Sequence, residues 1–269
     1  MIQTAKKIYT SDDGSIVAEK DFLTVVDPGC EERTVNDFVS LSRLKRIPVK
    51  YAFLTHSHWD HVHNIGKLKK VFKDIVLIGH KNNPRAKLPI LRTRKFHLGE
   101  TTYVLITTPG HCEKKDDICV YLPAESVLFS GDTVQPQGES FEHCNFCTPV
   151  PYFEYGDLYL SSLIKIAKLD IKHVITGHGA VLSKDSIAIT LKSVKEIAKL
   201  SREVVSEADR DGMRRNDKTL AQIVFRSISE KRHFRQVEER LKDPYYDNLD
   251  SKGIIYFINK YRNHGKKDE

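Results

Sequence analysis

His56-Ser57-His58-Trp59-Asp60-His61 sets three imidazoles and one carboxylate within six consecutive positions. The run before it, Tyr51-Ala52-Phe53-Leu54-Thr55, is short, apolar and aromatic and reads as a buried strand. The cluster therefore sits on a loop that leaves a strand end. In extended backbone, residues two apart point the same way. His56 and His58 can thus converge on one ion while Asp60 and His61 face a neighbouring position. Imidazole nitrogen and carboxylate oxygen suit zinc, iron or manganese, whereas thiolate-rich sets favour structural zinc or iron–sulfur clusters. A lone histidine is ordinarily a packed or solvated residue. Three with an acid between them point to a metal centre.

Three further segments repeat the pattern of strand, tight turn and candidate ligand. Thr108-Pro109-Gly110-His111 follows Val104-Leu105-Ile106-Thr107, Ser130-Gly131-Asp132-Thr133 follows Val127-Leu128-Phe129, and Thr176-Gly177-His178-Gly179 follows His173-Val174-Ile175. Turns at strand ends let a sheet edge present a rigid site. In this order the four segments resemble the metallo-β-lactamase superfamily, whose signature is H-x-H-x-D-H, then an isolated His, an Asp and a last His.

The resemblance implies an αββα sandwich. It also implies that His56, His58 and His111 hold one metal, that Asp60, His61 and His178 hold a second, and that Asp132 bridges them. No ligand position is missing, so two divalent ions are expected, zinc first, with iron or manganese as alternatives. Two such ions roughly 3.5–4 Å apart can hold a hydroxide that attacks a carbonyl or phosphoryl group. Asp60 is the candidate to orient it and pass a proton to the leaving group, with plain ligation as its other reading. Asp27, in Val25-Val26-Asp27-Pro28-Gly29, matches a D-x-G turn that lies under the histidine loop in the family. It is either an acceptor for a ligand N–H or an ordinary turn residue.

Composition agrees with a large soluble fold. The 269 residues are 40% hydrophobic, enough for one sizeable domain with or without an appendage. No apolar run reaches the length of a membrane span, and Met1-Ile2-Gln3-Thr4 begins no signal-peptide pattern, so a cytoplasmic location is the expectation. Five cysteines, an odd number, are expected as reduced thiols. Cys144-Asn145-Phe146-Cys147 behind His143 is half of a zinc site at most, and packing cysteines are the simpler reading; Cys112 reads as a small buried side chain.

Along the chain, three short strand-like runs surround the turn Ser11-Asp12-Asp13-Gly14. Apolar spacing predicts helices over 31–44, over Val62 to Phe72, and over Asp157 to Lys168. Strand and helix blocks alternate through residues 1–183, the expected catalytic domain, over an α/β architecture. From 184 to 269 only helical patterns appear: Ser186 to Asp209, then about 217–229, 234–242 and 247–263. This helical C-terminal region looks like that of glyoxalase II-type thioesterases and of the superfamily's small endoribonucleases. Residues 133–156 are dense in Pro, Gly and aromatic residues and are expected to cover the cleft. Tyr152 and Tyr155 are the candidate substrate contacts there.

The substrate is less constrained. Thr55 to His61 is close to the glyoxalase II and lactonase form of the motif, which implies an ester, thioester or lactone carbonyl of a small molecule. The family's G-C-G-R/K segment is replaced by Val134-Gln135-Pro136-Gln137-Gly138-Glu139, which puts glutathione recognition in doubt, and D-H-x-G-G becomes Asp60-His61-Val62-His63-Asn64. Between Lys67 and Lys95, ten Lys or Arg residues stand against the single acid Asp74. Such a stretch can guide a nucleic-acid backbone, so a phosphodiesterase or ribonuclease is the alternative, although the overall charge of +7 is modest for that role. β-Lactam hydrolysis and a non-catalytic binding protein rank behind both. Oligomeric state has no signature in the sequence.

Overall fold

The computed structural model describes residues 1–135, 150–211, 216–232 and 237–264. One sheet has seven strands in chain order: β1 (Ile2–Ala5), β2 (Ile8–Thr10), β3 (Ser15–Ala18), β4 (Leu23–Val26), β5 (Val49–Leu54), β6 (Val76–His80) and β7 (Leu88–Ile90). The second has six: β8 (Arg94–Leu98), β9 (Thr101–Thr107), β10 (Ile118–Leu122), β11 (Val127–Gly131), β12 (His173–Thr176) and β13 (Val181–Ser183). Its order is β13-β12-β11-β10-β9-β8. The N-terminal segment carries four strands where the sequence suggests three, because β1 pairs back on β2 with a register shift between Gln3 and Ala5.

Two-residue periodicity decides how the layers stack. In β5, Ala52 and Leu54 face one core while Phe53 faces another; in β6, Leu77 and Ile78 divide the same way. In the second sheet, Val104 and Ile106 face out from Leu105, and Cys119 and Tyr121 face out from Val120. Each sheet is thus apolar on both sides, as strands between two layers must be. The middle core interleaves Val26, Phe53 and Ile78 with Tyr103, Leu105, Val120, Phe129 and Ile175. The outer face of the first sheet packs on α1 (Glu32–Lys45), α2 (Trp59–Val62) and α3 (Ile65–Val71), through Phe38, Leu41, Val62, Ile65 and Leu68. The result is the αββα order, helix on sheet on sheet on helix.

The fourth layer joins α4 (Gly156–Ala167) to the C-terminal helices α5 (Asp185–Arg210), α6 (Asp217–Lys231), α7 (Val237–Lys242) and α8 (Pro244–His264). Tyr159 and Leu163 of α4, Ile187, Val194 and Ile197 of α5, Val224 and Phe225 of α6 and Ile254, Phe257 and Ile258 of α8 share one apolar cluster with the outward residues of the second sheet. The helical region therefore buries a sheet face that would otherwise be wet. No helix among the described residues is long and apolar enough to cross a membrane.

The sheet topology also places the site. Strands β4 and β5, β5 and β6, and β11 and β12 pair in parallel. The turns at their C-terminal ends therefore emerge on one edge of the sandwich, carrying Asp27, His56 to His61, Asp132 and His178. Ile118 N donates to Thr55 O at 2.8 Å and ties the two sheets together there.

Candidate metal centre

All seven expected ligand residues meet at that edge, in two groups. One ring nitrogen each of His56, His58 and His111 form the first group, and atoms of Asp60, His61, Asp132 and His178 form the second; within a group the atoms lie within 4.8 Å of one another. His58 Nδ1 is 3.0 Å from His56 Nε2 and 3.1 Å from His111 Nε2. Asp132 spans the groups: Oδ1 is 3.4 Å from His61 Nε2, and Oδ2 is 3.3 Å from His178 Nε2 and 3.6 Å from His111 Nε2. Asp60 Oδ2 stands 3.7 Å from both His61 Nε2 and His178 Nε2.

The donor set fits divalent metal. His61 Nε2 and Asp132 Oδ1 are buried, yet neither has a hydrogen-bond partner. A buried polar atom without a partner is costly, and a shared cation would satisfy both. Burial and the neighbouring imidazoles push His56 well below the ordinary histidine range, and burial takes His111 down to about 3. Neutral imidazoles keep a lone pair for a cation. In the second group, burial of His61 is outweighed by the Asp132 and Asp27 carboxylates, which raise its pKa well above the usual value. Burial opposes ionisation of Asp132, but His178 and His61 hold it well below the carboxylate range.

Residues around the ligands fix their aim. Asp27 is in the left-handed region at φ 51°, and its Oδ2 lies 2.9 Å from His61 Nδ1. It also accepts from Thr55 N at 2.8 Å and Thr55 Oγ1 at 2.6 Å. Asp27 thus orients His61 as well as shaping a turn, and it leaves Nε2 of His61 to face the cluster. Asp117 accepts from Gly110 N and Cys112 N, pinning the turn that carries His111; burial pushes its carboxyl up to about 7. Two glycines allow the close approach. A Cβ on Gly177 would sit 2.2 Å from His61 Cε1, and Gly131, at φ 50°, would press one into Thr55 Oγ1.

Sequence reasoning passed over Gln135. Its amide is buried and reads the backbone on both sides of residues 136–149: Nε2 donates to Asp132 O (2.9 Å) and Tyr152 O (2.8 Å), and Oε1 accepts from Tyr152 N (3.0 Å). Tyr152 O in turn lies 3.0 Å from His111 Nδ1. A glutamine has no motif of its own, and only the fold reveals that clamp. A cleft of about 570 Å³ opens at the site, lined by His58, Asp60, His111, Asp132 and His178 together with Trp59, Tyr152, Tyr245 and Leu249, and by Asp12, Asp13, Cys30 and Glu31.

Tyr152 reaches this cleft as expected. Tyr155 is not among its lining residues; its hydroxyl donates to Glu113 O and Lys115 lies over its ring. Cys112 is buried. His63 is exposed and packs its ring against Trp59. His143, Cys144 and Cys147 fall outside the described residues.

A two-sheet sandwich with four His- and Asp-bearing turns converging along one edge defines a structural class. The family model of the metallo-beta-lactamase superfamily matches residues 15–178, and the chain belongs to that superfamily. It is 25% identical over 210 residues to an atrochrysone carboxyl ACP thioesterase from Aspergillus fumigatus, covering 76% of this chain and 47% of that protein. It is 27% identical to a hydroxyacylglutathione hydrolase from Francisella tularensis subsp. novicida, covering 58% of this chain and 57% of the relative. The chain thus spans about half the length of these relatives. Among solved structures, a metallo-beta-lactamase from Pontibacter korlensis superposes with a TM-score of 0.61 at 17% identity, over 72% of this chain and 97% of that one. An archaeal superfamily protein from Sulfolobus tokodaii gives 0.52 at 18% identity, over 70% and 86%. These likenesses show the fold.

Proposed function

We propose that the chain is a dinuclear metal-dependent hydrolase of an ester-type carbonyl, a thioester first. His56, His58 and His111 would hold one divalent ion, Asp60, His61 and His178 the other, and Asp132 both. Ions bound there would acidify a water and polarise the carbonyl under attack. The protein's own part is to keep His56 and His111 neutral, to fix the tautomers of His61 and His111 through Asp27 and the Tyr152 carbonyl, and to move one proton. Asp60 is the group for that transfer. Its side chain is 37% exposed at the cleft, so its carboxylate can take a proton from the attacking water and return it to the leaving oxygen or sulfur.

What carries the carbonyl reading over the phosphodiester one is the composition of the cleft. Among the described residues its lining holds no Lys or Arg and five acids: Asp12, Asp13, Glu31, Asp60 and Asp132. The ions would offset Asp60 and Asp132 at the scissile group, but the phosphates flanking it along a nucleic-acid backbone would meet Asp12, Asp13 and Glu31 with no cation from the protein. The Lys and Arg residues of 67–95 are exposed, apart from half-buried Lys69, but none of them lines the cleft. Several of these charges have a structural role instead: β7 and β8 each form one edge of their sheet, and Lys87 just before β7 and Arg94 and Lys95 in β8 discourage edge-to-edge pairing. The named relatives, an ACP thioesterase and a hydroxyacylglutathione hydrolase, act on acyl groups carried on sulfur, which favours a thioester within the carbonyl class.

In this reading residues 1–183 supply the chemistry and 184–269 a wall of the cleft. The test compares hydrolysis of acyl-pantetheine thioesters and a lactone with cleavage of a chromogenic phosphodiester and of single-stranded RNA by zinc-reconstituted protein. Thioester turnover well above phosphodiester turnover is expected. The reverse order, abolished by Arg92→Ala with Arg94→Ala, would establish the nuclease instead.

A further inference from the structure

Two large aromatic side chains stand exposed on the rim of the same cleft: Trp59 at 64% and Tyr245 at 61%. Single exposed apolar residues are common on protein surfaces, but these two come from distant parts of the chain and converge on one cavity. Both are also fixed from behind. The Trp59 indole rests against the His63 ring, with centroids 4.5 Å apart. Tyr245 opens α8, where its backbone N donates to Asp243 Oδ1 at 2.9 Å and its ring meets Tyr246 at 5.3 Å. Arg240 lies over Tyr246 and is itself held by Asp250 through two bonds of 2.6 and 2.9 Å. Lys218 pairs with Asp247, two residues beyond Tyr245, at 2.6 Å. Such bracing removes the ordering cost that a ligand would otherwise meet on binding.

We propose that Trp59 and Tyr245 form an aromatic clamp for a flat, aromatic acyl group of the substrate, with Tyr152 and Leu249 completing the apolar wall. The proposal rests on the carbonyl-hydrolase reading above and names the acyl class that reading leaves open. Rigid ring faces gain most from a ring that stacks on them, and a flexible alkyl chain forgoes that extra attraction. Among the described residues the lining has no Lys or Arg, so the wall selects by shape and stacking, while acceptors such as Glu31 in the same cleft suit hydroxyl substituents.

Trp59 is the only tryptophan in the chain, so tryptophan emission, excited selectively over the eleven tyrosines, reports on this rim alone. The zinc-reconstituted full chain is titrated with 4-nitrobenzoate, a flat quenching aromatic acid, and with hexanoate as a flexible counterpart. Saturable quenching by the aromatic acid, without competition from hexanoate, is expected. Tyr245→Ala should raise the half-saturation concentration roughly five- to tenfold, and Tyr245→Phe should restore it. The ratio of kcat/KM for benzoyl- over hexanoyl-pantetheine should fall by a similar factor in Trp59→Ala and Tyr245→Ala, through KM. Quenching that is linear and equal in wild type and Tyr245→Ala, or an unmoved ratio, would overturn the clamp. Saturable quenching with neither thioester hydrolysed would leave the clamp standing and overturn the hydrolase reading, so the two failures are distinguishable.

Discussion

The ligand-bearing edge of the sandwich and the start of α8 face the same cleft, yet they are built by opposite means. At the edge, polar side chains are buried and each is held by others: His61 by Asp27, Asp27 by Thr55, the His111 turn by Asp117. At α8, apolar rings are exposed, and the polar residues lie behind them as anchors, with Arg240 on Asp250 and Lys218 on Asp247. Buried charge demands a partner, and a cation fits it; two exposed rings on one cavity offer a face to an apolar ligand. In the proposed reading, chemistry and selectivity fall to different layers of one molecule.

The sharpest way to break that division is to damage one side and measure both. Asp132→Ala removes the carboxylate common to both ligand groups and should lower hydrolysis by about a thousandfold or more, with loss of bound metal, while leaving 4-nitrobenzoate quenching of Trp59 saturable. Arg240→Leu does the converse. It leaves Asp250 buried without its partner and should cost ~3–5 kcal/mol of stability in chemical denaturation, with metal stoichiometry per folded chain unchanged. Metal loss in the folded Arg240→Leu protein would mean that edge and wall are one unit.

Smaller changes sharpen the picture within the edge. Asp27→Asn keeps the side-chain shape and tolerates the positive φ but weakens the hold on His61 Nδ1. Metal affinity should drop roughly 10–100-fold by competition with a chelator, and an unchanged affinity would reduce Asp27 to a turn residue. Gln135→Ala releases the Tyr152 backbone, whose carbonyl faces His111 Nδ1. About a tenfold loss in kcat/KM is expected, with near-normal metal content, since one clamp and no ligand has gone. Equal kinetics would show that residues 150–153 hold their place unaided.

The two regions also differ in how far a sequence discloses them. The edge is legible because its constraints are local: each ligand follows a strand and a tight turn, so His56 to His61, His111, Asp132 and His178 stand out by residue type and spacing. The helices of 184–269 are legible as helices, through apolar periodicity in stretches such as Ile187 to Val204. Where their rings point is not, because Tyr245 reaches the cleft only through packing of α8 on α5 and α6, contacts that no window of sequence contains. Asp27 lies between these cases, an ordinary turn residue until the fold brings His61 to it across 34 positions. Gln135 is the extreme: its shortest hydrogen bonds all go to backbone, which leaves no side-chain pattern to read.

The central claim is that one edge of the sandwich holds two metal ions. The direct test is metal content of the purified chain after reconstitution with zinc and exhaustive dialysis, read by elemental analysis against protein concentration. The account predicts about two ions per chain, falling below one in Asp132→Ala. Fewer than one ion per chain in the unmodified protein under metal-replete conditions would contradict it.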